Sequence, residues 1–324
     1  MPLSRRHLVA AALLAASAMP ALAQANYPAR PVRIVVGASA GGVTDVIARF
    51  FAEHFTKQTA AQVVVENITG AGGNVAFAQV AKAEADGYTL GLAAAGNIVI
   101  NPALYKNMRF DPVADLLAVA PIAAAPQVVV VQKDVPAKTF AELLALAKAK
   151  PGSLSYGSAG VGTTNHIAGA LLAKQAGVDL VHVPYRGIAP AVTDLVGGRI
   201  HTMSVAVAPV IGFVRDGSVR PLAVATKERL KDLPEVPTAA EAGLPGYEMT
   251  TWFGLVAPKG TPKPIVDRLN AVVRAMIADP TERKRLEDNF LVPMDQSSEE
   301  FAGLVKADAA LWSKTITDLG IQLN

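Results

Sequence analysis

From Tyr27 onward, short runs of β-branched and other apolar residues alternate with longer helix-patterned stretches, and this rhythm limits the fold more than any other feature of the chain. The runs fall at residues 32–36, 62–65, 88–92, 127–132, 154–156, 180–183 and 220–226. Strands separated by helical segments form βα units, whose strands lie mostly parallel with helices packed on the faces. Helix starts are legible as well. Thr139-x-x-Glu142 and Ser297-x-x-Glu300 are capping boxes, and Thr261-Pro262 sets an N-cap residue before a proline at the first helical position.

The order of these elements implies more than one unit. Between Asp134 and about Arg220 the chain holds a strand and helix series of its own, and the long helical patterns after Thr261 come too late to belong to it. The expected fold is therefore α/β and two-lobed, with a mixed, mostly parallel sheet in each lobe. A discontinuous first lobe spans 26–126 and 227–324, and the second spans 127–226. Two strands, near residues 128–131 and 222–225, carry the chain across as a two-segment hinge beside a cleft. A length of 324 residues suits two lobes of ordinary size. The proline- and glycine-rich stretch from Leu233 to Gly246 reads as a surface connection.

At the N-terminus, Arg5 and Arg6 precede an apolar run over 8–18, and Ala21-Leu22-Ala23 offers a small-x-small cleavage site. This is the pattern of a signal peptide over 1–25, cut near Ala23, and it implies export. The run falls well short of the ~20 apolar residues of a spanning helix. Ser4-Arg5-Arg6-His7-Leu8 also resembles a twin-arginine export signal. Without the leader, 28 basic residues face 27 acidic ones, so no basic surface for nucleic acid is expected. The absence of cysteine removes disulfides, thiolate metal sites and a cysteine nucleophile. The four histidines beyond the leader show no metal-ligand spacing, so neither metal nor cofactor is expected.

Three turns concentrate small residues: Gly37-Ala-Ser-Ala-Gly-Gly42, Gly70-Ala-Gly-Gly-Asn74 and Tyr156-Gly-Ser-Ala-Gly-Val-Gly-Thr-Thr164. The first and third lie between a strand and a helix. There the first helical N–H groups lack intrahelical partners and the helix dipole favours negative charge, so backbone alone can hold a carboxylate. Other chemistries fit less well. The first turn has P-loop spacing, but Val43 stands where the phosphate-binding lysine belongs. Gly70-x-Gly72-x-x-Val75 lacks the third glycine of a dinucleotide fingerprint. Tyr156-Gly-Ser158-Ala-Gly160 is an imperfect nucleophile elbow, which keeps an exported serine hydrolase using Ser158 as the alternative. Asp45, in the first turn of its helix, suits the dipole and can cap free N–H groups or meet a ligand amine or water. Arg186, just before a helix, reads first as a surface arginine and second as a partner for a ligand carboxylate.

Taken together, several segments resemble the Bug family of periplasmic receptors that serve tripartite tricarboxylate transporters. They are Tyr27-Pro-x-Arg-Pro-Val-Arg-Ile34, Ala40-Gly-Gly-Val-Thr-Asp45, Val65-Glu-Asn67 with Gly70-Ala-Gly-Gly-Asn74, Asp86-Gly-Tyr-Thr-Leu90, Ser155-Tyr-Gly-Ser-Ala-Gly160, His182-Val-Pro-Tyr-Arg-Gly187 and Leu233-Pro-Glu-Val-Pro-Thr238 with Glu241-Ala-Gly-Leu-Pro-Gly-Tyr247. The resemblance runs from about Tyr27 to the C-terminus. It implies a Venus-flytrap binding protein of type II that is not an enzyme. Such a protein, expected as a monomer, captures a small organic carboxylate and presents it to membrane permease subunits; a ligand-sensing receptor without transport is the other possibility.

By resemblance, Ser39, Ala40, Gly41 and Gly42 with Asp45 nearby would hold one carboxylate, partly through waters. Ser158, Ala159, Gly160, Thr163 and Thr164 would close from the other lobe. Asn67, Ala94, His166, Tyr185 and Ala206 would face the variable part of the ligand. Two departures stand out: Gly37-Ala38 replaces the usual Pro-Phe, and Ile68-Thr69 replaces Arg-Pro. Loss of an aromatic there is expected to widen the pocket.

Overall fold

The computed structural model describes residues 27–108 and 110–321. The signal peptide expected over 1–25, with its expected cleavage near Ala23, lies outside them.

The first half is built around β1 (Val32–Val36), which is buried along almost its whole length. It pairs in parallel with β2 (Val63–Asn67) and β3 (Thr89–Ala94). β3 then runs antiparallel to β9 (Thr250–Pro258), and β9 antiparallel to the first part of β4 (Leu116–Gln132). Helix α1 (Val43–Thr59) follows β1 and places Ile47, Phe51 and Phe55, four residues apart, on one buried face. Each such side chain, wholly removed from water, contributes about 1.5–3 kcal/mol. Helix α2 (Asn74–Ala81) covers the opposite face with Phe77.

The second half repeats the scheme with β5 (Leu154–Ser158) parallel to both β6 (Leu180–Pro184) and β7 (Thr202–Ala206). Helices α5 (Phe140–Ala149), α6 (Thr164–Ala176) and α7 (Ile188–Val196) pack on it. Gly169 sits directly over the Tyr156 ring, where any side chain would collide, so α6 lies close against β5. Its lack of a Cβ helps fix where the turn before α6 is held.

One strand belongs to both halves. Residues Leu116 to Pro126 of β4 pair with β9, whereas Gln127 to Gln132 pair with β7 and with β8 (Val219–Val224). The strand order is thus β2-β1-β3-β9-β4-β7-β5-β6, a mixed sheet whose outer strands are parallel and whose central strands are antiparallel. Two register shifts in the first part of β4, one between Pro121 and Ala123, accommodate a proline that cannot donate to the ladder. A buried polar chain marks the switch point. Gln127 donates to Thr251 Oγ1 at 3.2 Å and accepts from Ser204 Oγ at 3.2 Å, and Tyr247 Oη donates to Ser204 Oγ at 3.1 Å.

The connection after β8 keeps company with the second half. Leu233 and Val236 join the core of Val128, Val205 and Leu195, and Tyr247 Oη also lies 3.1 Å from the Ala168 carbonyl. The chain returns through β9 to α9 (Lys263–Ala278), α10 (Pro280–Glu287), the short β10 (Val292–Pro293) and α11 (Ser298–Leu319). Ser297 and Glu300 form the complete capping box expected of α11. At Thr139 the cap is present, but Glu142 reaches the N–H of Lys138 in place of that of Thr139. Thr261 does not cap α9: its hydroxyl donates to the Pro258 carbonyl at 2.8 Å, and Pro262 occupies the N-cap position.

Candidate functional site

A cavity of about 670 Å³ lies where the two halves meet. Its first wall is the turn between β1 and α1. Gly42 is the N-cap of α1 and no side chain caps the helix. Asp45, only 2% exposed, turns back so that its Oδ2 accepts from the Gly41 N–H at 2.9 Å and from Arg49 Nε at 3.0 Å. Burial pushes this carboxyl up, but the bonds from Arg49 and Gly41 outweigh burial and hold it below its usual range. Its Oδ1 is buried with no partner among the described residues. From β2, Asn67 Nδ2 donates to the Ala38 carbonyl at 3.1 Å. The turn is therefore fixed from behind by an anion.

The facing wall is the turn between β5 and α6, whose N-cap Thr163 also makes no side-chain cap. Thr163 Oγ1 instead donates to the Gly160 carbonyl at 2.7 Å. Gly160 and Gly162 both have positive φ, +134° and +83°, which makes the tight reversal glycine-dependent. Support comes from two stacked imidazoles with ring centroids 4.1 Å apart. The Gly162 N–H donates to His166 Nδ1 at 3.3 Å, and Ser158 Oγ lies 2.7 Å from His182 Nε2. Burial lowers the pKa of both rings to about 4, and for His182 the neighbouring His166 adds to the effect. Both are neutral at ordinary pH, as an Nδ1 that accepts a hydrogen bond requires.

Of the residues expected at the site, Ser39, Gly42, Ala94, Ala159, Gly160, Thr163, Thr164, Tyr185 and Ala206 line the cavity. Ala40, Gly41, Asp45, Asn67, Ser158 and His166 are not in its wall; the last five form the layer that holds the two turns. Ser158 is wholly buried. Its hydroxyl faces the His182 imidazole, behind which no hydrogen-bonded carboxylate stands among the described residues. Tyr185 offers its ring and backbone, because its hydroxyl donates to Asp194 Oδ2 at 2.8 Å. Burial and this carboxylate push the phenol up to about 12.

Several lining residues lie outside the sequence expectation. Asn97, in a helical turn after β3, accepts from the Ala94 N–H at 2.9 Å and donates to the Gly72 carbonyl, which fixes the Gly70–Gly73 loop beside the cavity. Gln127 and Thr251 reach the floor from the strand switch point. Tyr105 Oη meets the Val161 carbonyl at 3.4 Å across the two halves. Arg186, read from the sequence first as a surface arginine and second as a ligand partner, is exposed and lines the cavity from the β6–α7 connection. At Gly37 the space a side chain would fill is taken by the Phe77 ring, 2.8 Å from the position of a Cβ. Any widening from the missing Pro-Phe pair is thus confined to Ala38.

Residues 47–321 match the model of the tripartite tricarboxylate transporter family receptor. The chain belongs to this receptor family. Among curated relatives of this Bug-type receptor is the UPF0065 protein in the tcbD-tcbE intergenic region of Pseudomonas sp. strain P51, 39% identical over 99% of this chain and 96% of the relative. Among solved structures, R. palustris Rpa4515 with adipate is 36% identical, covers 91% of this chain and 99% of its own, and superposes with a TM-score of 0.88. The periplasmic binding protein BugD is 34% identical over 91% of this chain and 99% of its own, with a TM-score of 0.85. The receptor family is one of periplasmic solute-binding proteins, and its two-lobed fold is the one described above.

Proposed function

We propose that this receptor binds a small organic carboxylate in the cavity between its halves and presents the loaded form to the membrane subunits of a tripartite transporter, without catalysing a reaction. The observation that carries this reading is the convergence of two glycine-bearing, uncapped helix N-termini on one cavity with no acidic side chain among its described lining residues. Each offers unpaired N–H groups and the positive end of a dipole to the same guest. The volume is within the range of small-molecule sites, and Rpa4515, with 36% identity, holds adipate.

Ligand would favour a closed arrangement by completing hydrogen bonds from both turns at once. We place the hinge at Gln127 in β4 and at the return into β9. The segment 227–249, expected from the sequence to travel with the first lobe, is on this view part of the second, because its buried side chains and hydrogen bonds lie there. Export with removal of the leader near Ala23, and a monomeric receptor, complete the proposal.

The test is a thermal-shift and calorimetric screen of mono-, di- and tricarboxylates and aromatic acids against the mature protein. At least one acid should raise the melting temperature by several degrees and bind with one-to-one stoichiometry, with no turnover. If none does, the receptor function fails. Intact-mass measurement of the exported protein checks the cleavage site.

A further inference from the structure

Resting on the receptor function proposed above, we infer that Arg186 reads a second anionic group on the ligand, so that this cleft selects a dicarboxylate over both a monocarboxylate and an amino acid.

Three observations converge on this side chain. Arg186 is the only charged residue among the described residues lining the cavity. It is exposed, and among the described residues its guanidinium has no carboxylate partner. The acid on the helix that follows, Asp194, is already taken by Arg199 Nη1 at 2.7 Å and Tyr185 Oη at 2.8 Å.

Its backbone is anchored between the two turns. The Tyr185 N–H donates to the Ser158 carbonyl at 3.0 Å and the Gly187 N–H to the Ala159 carbonyl at 3.1 Å, so both neighbours of Arg186 are tied to the second turn. Gly187 in turn abuts the first: a Cβ there would lie 2.9 Å from Ser39 Oγ. The arginine thus rises from a fixed base at the seam where a ligand carboxylate would be held.

Charge then discriminates between ligands. One carboxylate is satisfied by backbone dipoles, and a second finds a guanidinium suited to bidentate recognition. An ammonium finds no carboxylate among the described lining residues, and Asp45, behind the first turn, is buried outside that lining with its Oδ2 bound to Gly41 and Arg49. The ammonium would also meet Arg186 as a like charge.

The experiment compares wild type, Arg186→Gln and Arg186→Lys by calorimetry. The probes are linear α,ω-dicarboxylates of four to eight carbons, plus citrate and terephthalate. For the tightest binder, its monoamide and its ω-amino monocarboxylate analogue are then measured. Wild type should bind the dicarboxylate roughly ten-fold more tightly than the monoamide, with the ω-amino acid weakest. Arg186→Gln should bring dicarboxylate and monoamide within about three-fold by weakening only the former, and Arg186→Lys should restore part of the preference.

An undiminished preference in Arg186→Gln overturns the inference. So does loss of dicarboxylate and monoamide binding alike, which would make Arg186 a support of the turn, and so does a wild type that prefers monocarboxylates or amino acids. All three leave the receptor function standing. If wild type binds no carboxylate at all, it is that function which falls, and this inference with it.

Discussion

The two turns that face the cavity do the same geometric task with opposite chemistry behind them. The β1–α1 turn is braced by a fixed anion, Asp45, neutralised in part by Arg49 at 3.0 Å. The β5–α6 turn is braced by neutral imidazoles, His166 and His182, which stack on each other and bond to no carboxylate among the described residues. An anionic brace survives mild acid because hydrogen bonds lower its pKa. An imidazole brace depends on burial keeping protons off, and burial fails first as pH falls. The two walls of one site should therefore lose their support in different pH windows.

The largest expected effect is on the histidine side. Both rings titrate near 4 when folded and near 6.5 when free, so the unfolded chain takes up protons first as pH falls through this interval. Stability held above 6.5 should be lost between 6.5 and 4, by on the order of 3 kcal/mol for the buried His166 and by less for the partly exposed His182, and no further below that from these groups. Urea unfolding from pH 7 to 4 measures it. The double variant His166→Phe/His182→Phe should be weaker at pH 7 but much flatter across the window, and an unchanged slope would refute the histidine brace.

Next comes Asp45→Ala, which strips the acceptor from the Gly41 N–H and from Arg49. A cost of about 1–3 kcal/mol is expected, together with weaker ligand binding. Because this carboxyl is held low, the stability it gives wild type is present above its unfolded pKa and fades only below about pH 4. Thermal unfolding of the variant that matches wild type at pH 7 would remove the contrast between the turns.

Smaller effects separate the two backbones. Gly160→Ala meets both a φ of +134° and the Tyr185 carbonyl at 3.2 Å, while Gly41→Ala meets a φ of +78° with open space around it. About 2 kcal/mol against about 1 kcal/mol is expected, by denaturant midpoint. Equal costs would mean that the second turn is no more constrained than the first. Tyr105→Phe, which removes only the long 3.4 Å contact between the halves, should change stability by a few tenths of a kcal/mol.

What the sequence made legible was local chemistry. The glycine turns, the caps of α5 and α11 and most of the βα strands depend on neighbours in the chain, and all were identifiable as such. The first part of β4 was not, because Ala118, Ala120, Ala123, Ala124 and Ala125 with Pro121 and Pro126 carry little strand propensity; its partner β9 supplies the pairing from more than a hundred residues away. The same holds within the site. Ser158 finds its imidazole on His182 because the β5–β6 register sets Tyr156 beside His182, and nothing in the spacing of the two residues announces that. Asn97 and Gln127 reach the cavity only once distant segments have come together.

That distant strand has a consequence for how the chain matures. β9 is wedged between β3 and β4, so the central ladder of the first half cannot close until residues near 258 are available. Long-range pairing of this kind slows folding and leaves strand edges bare meanwhile. A product truncated before Thr250 would keep two such edges permanently open, and it should aggregate even though most of its length is intact.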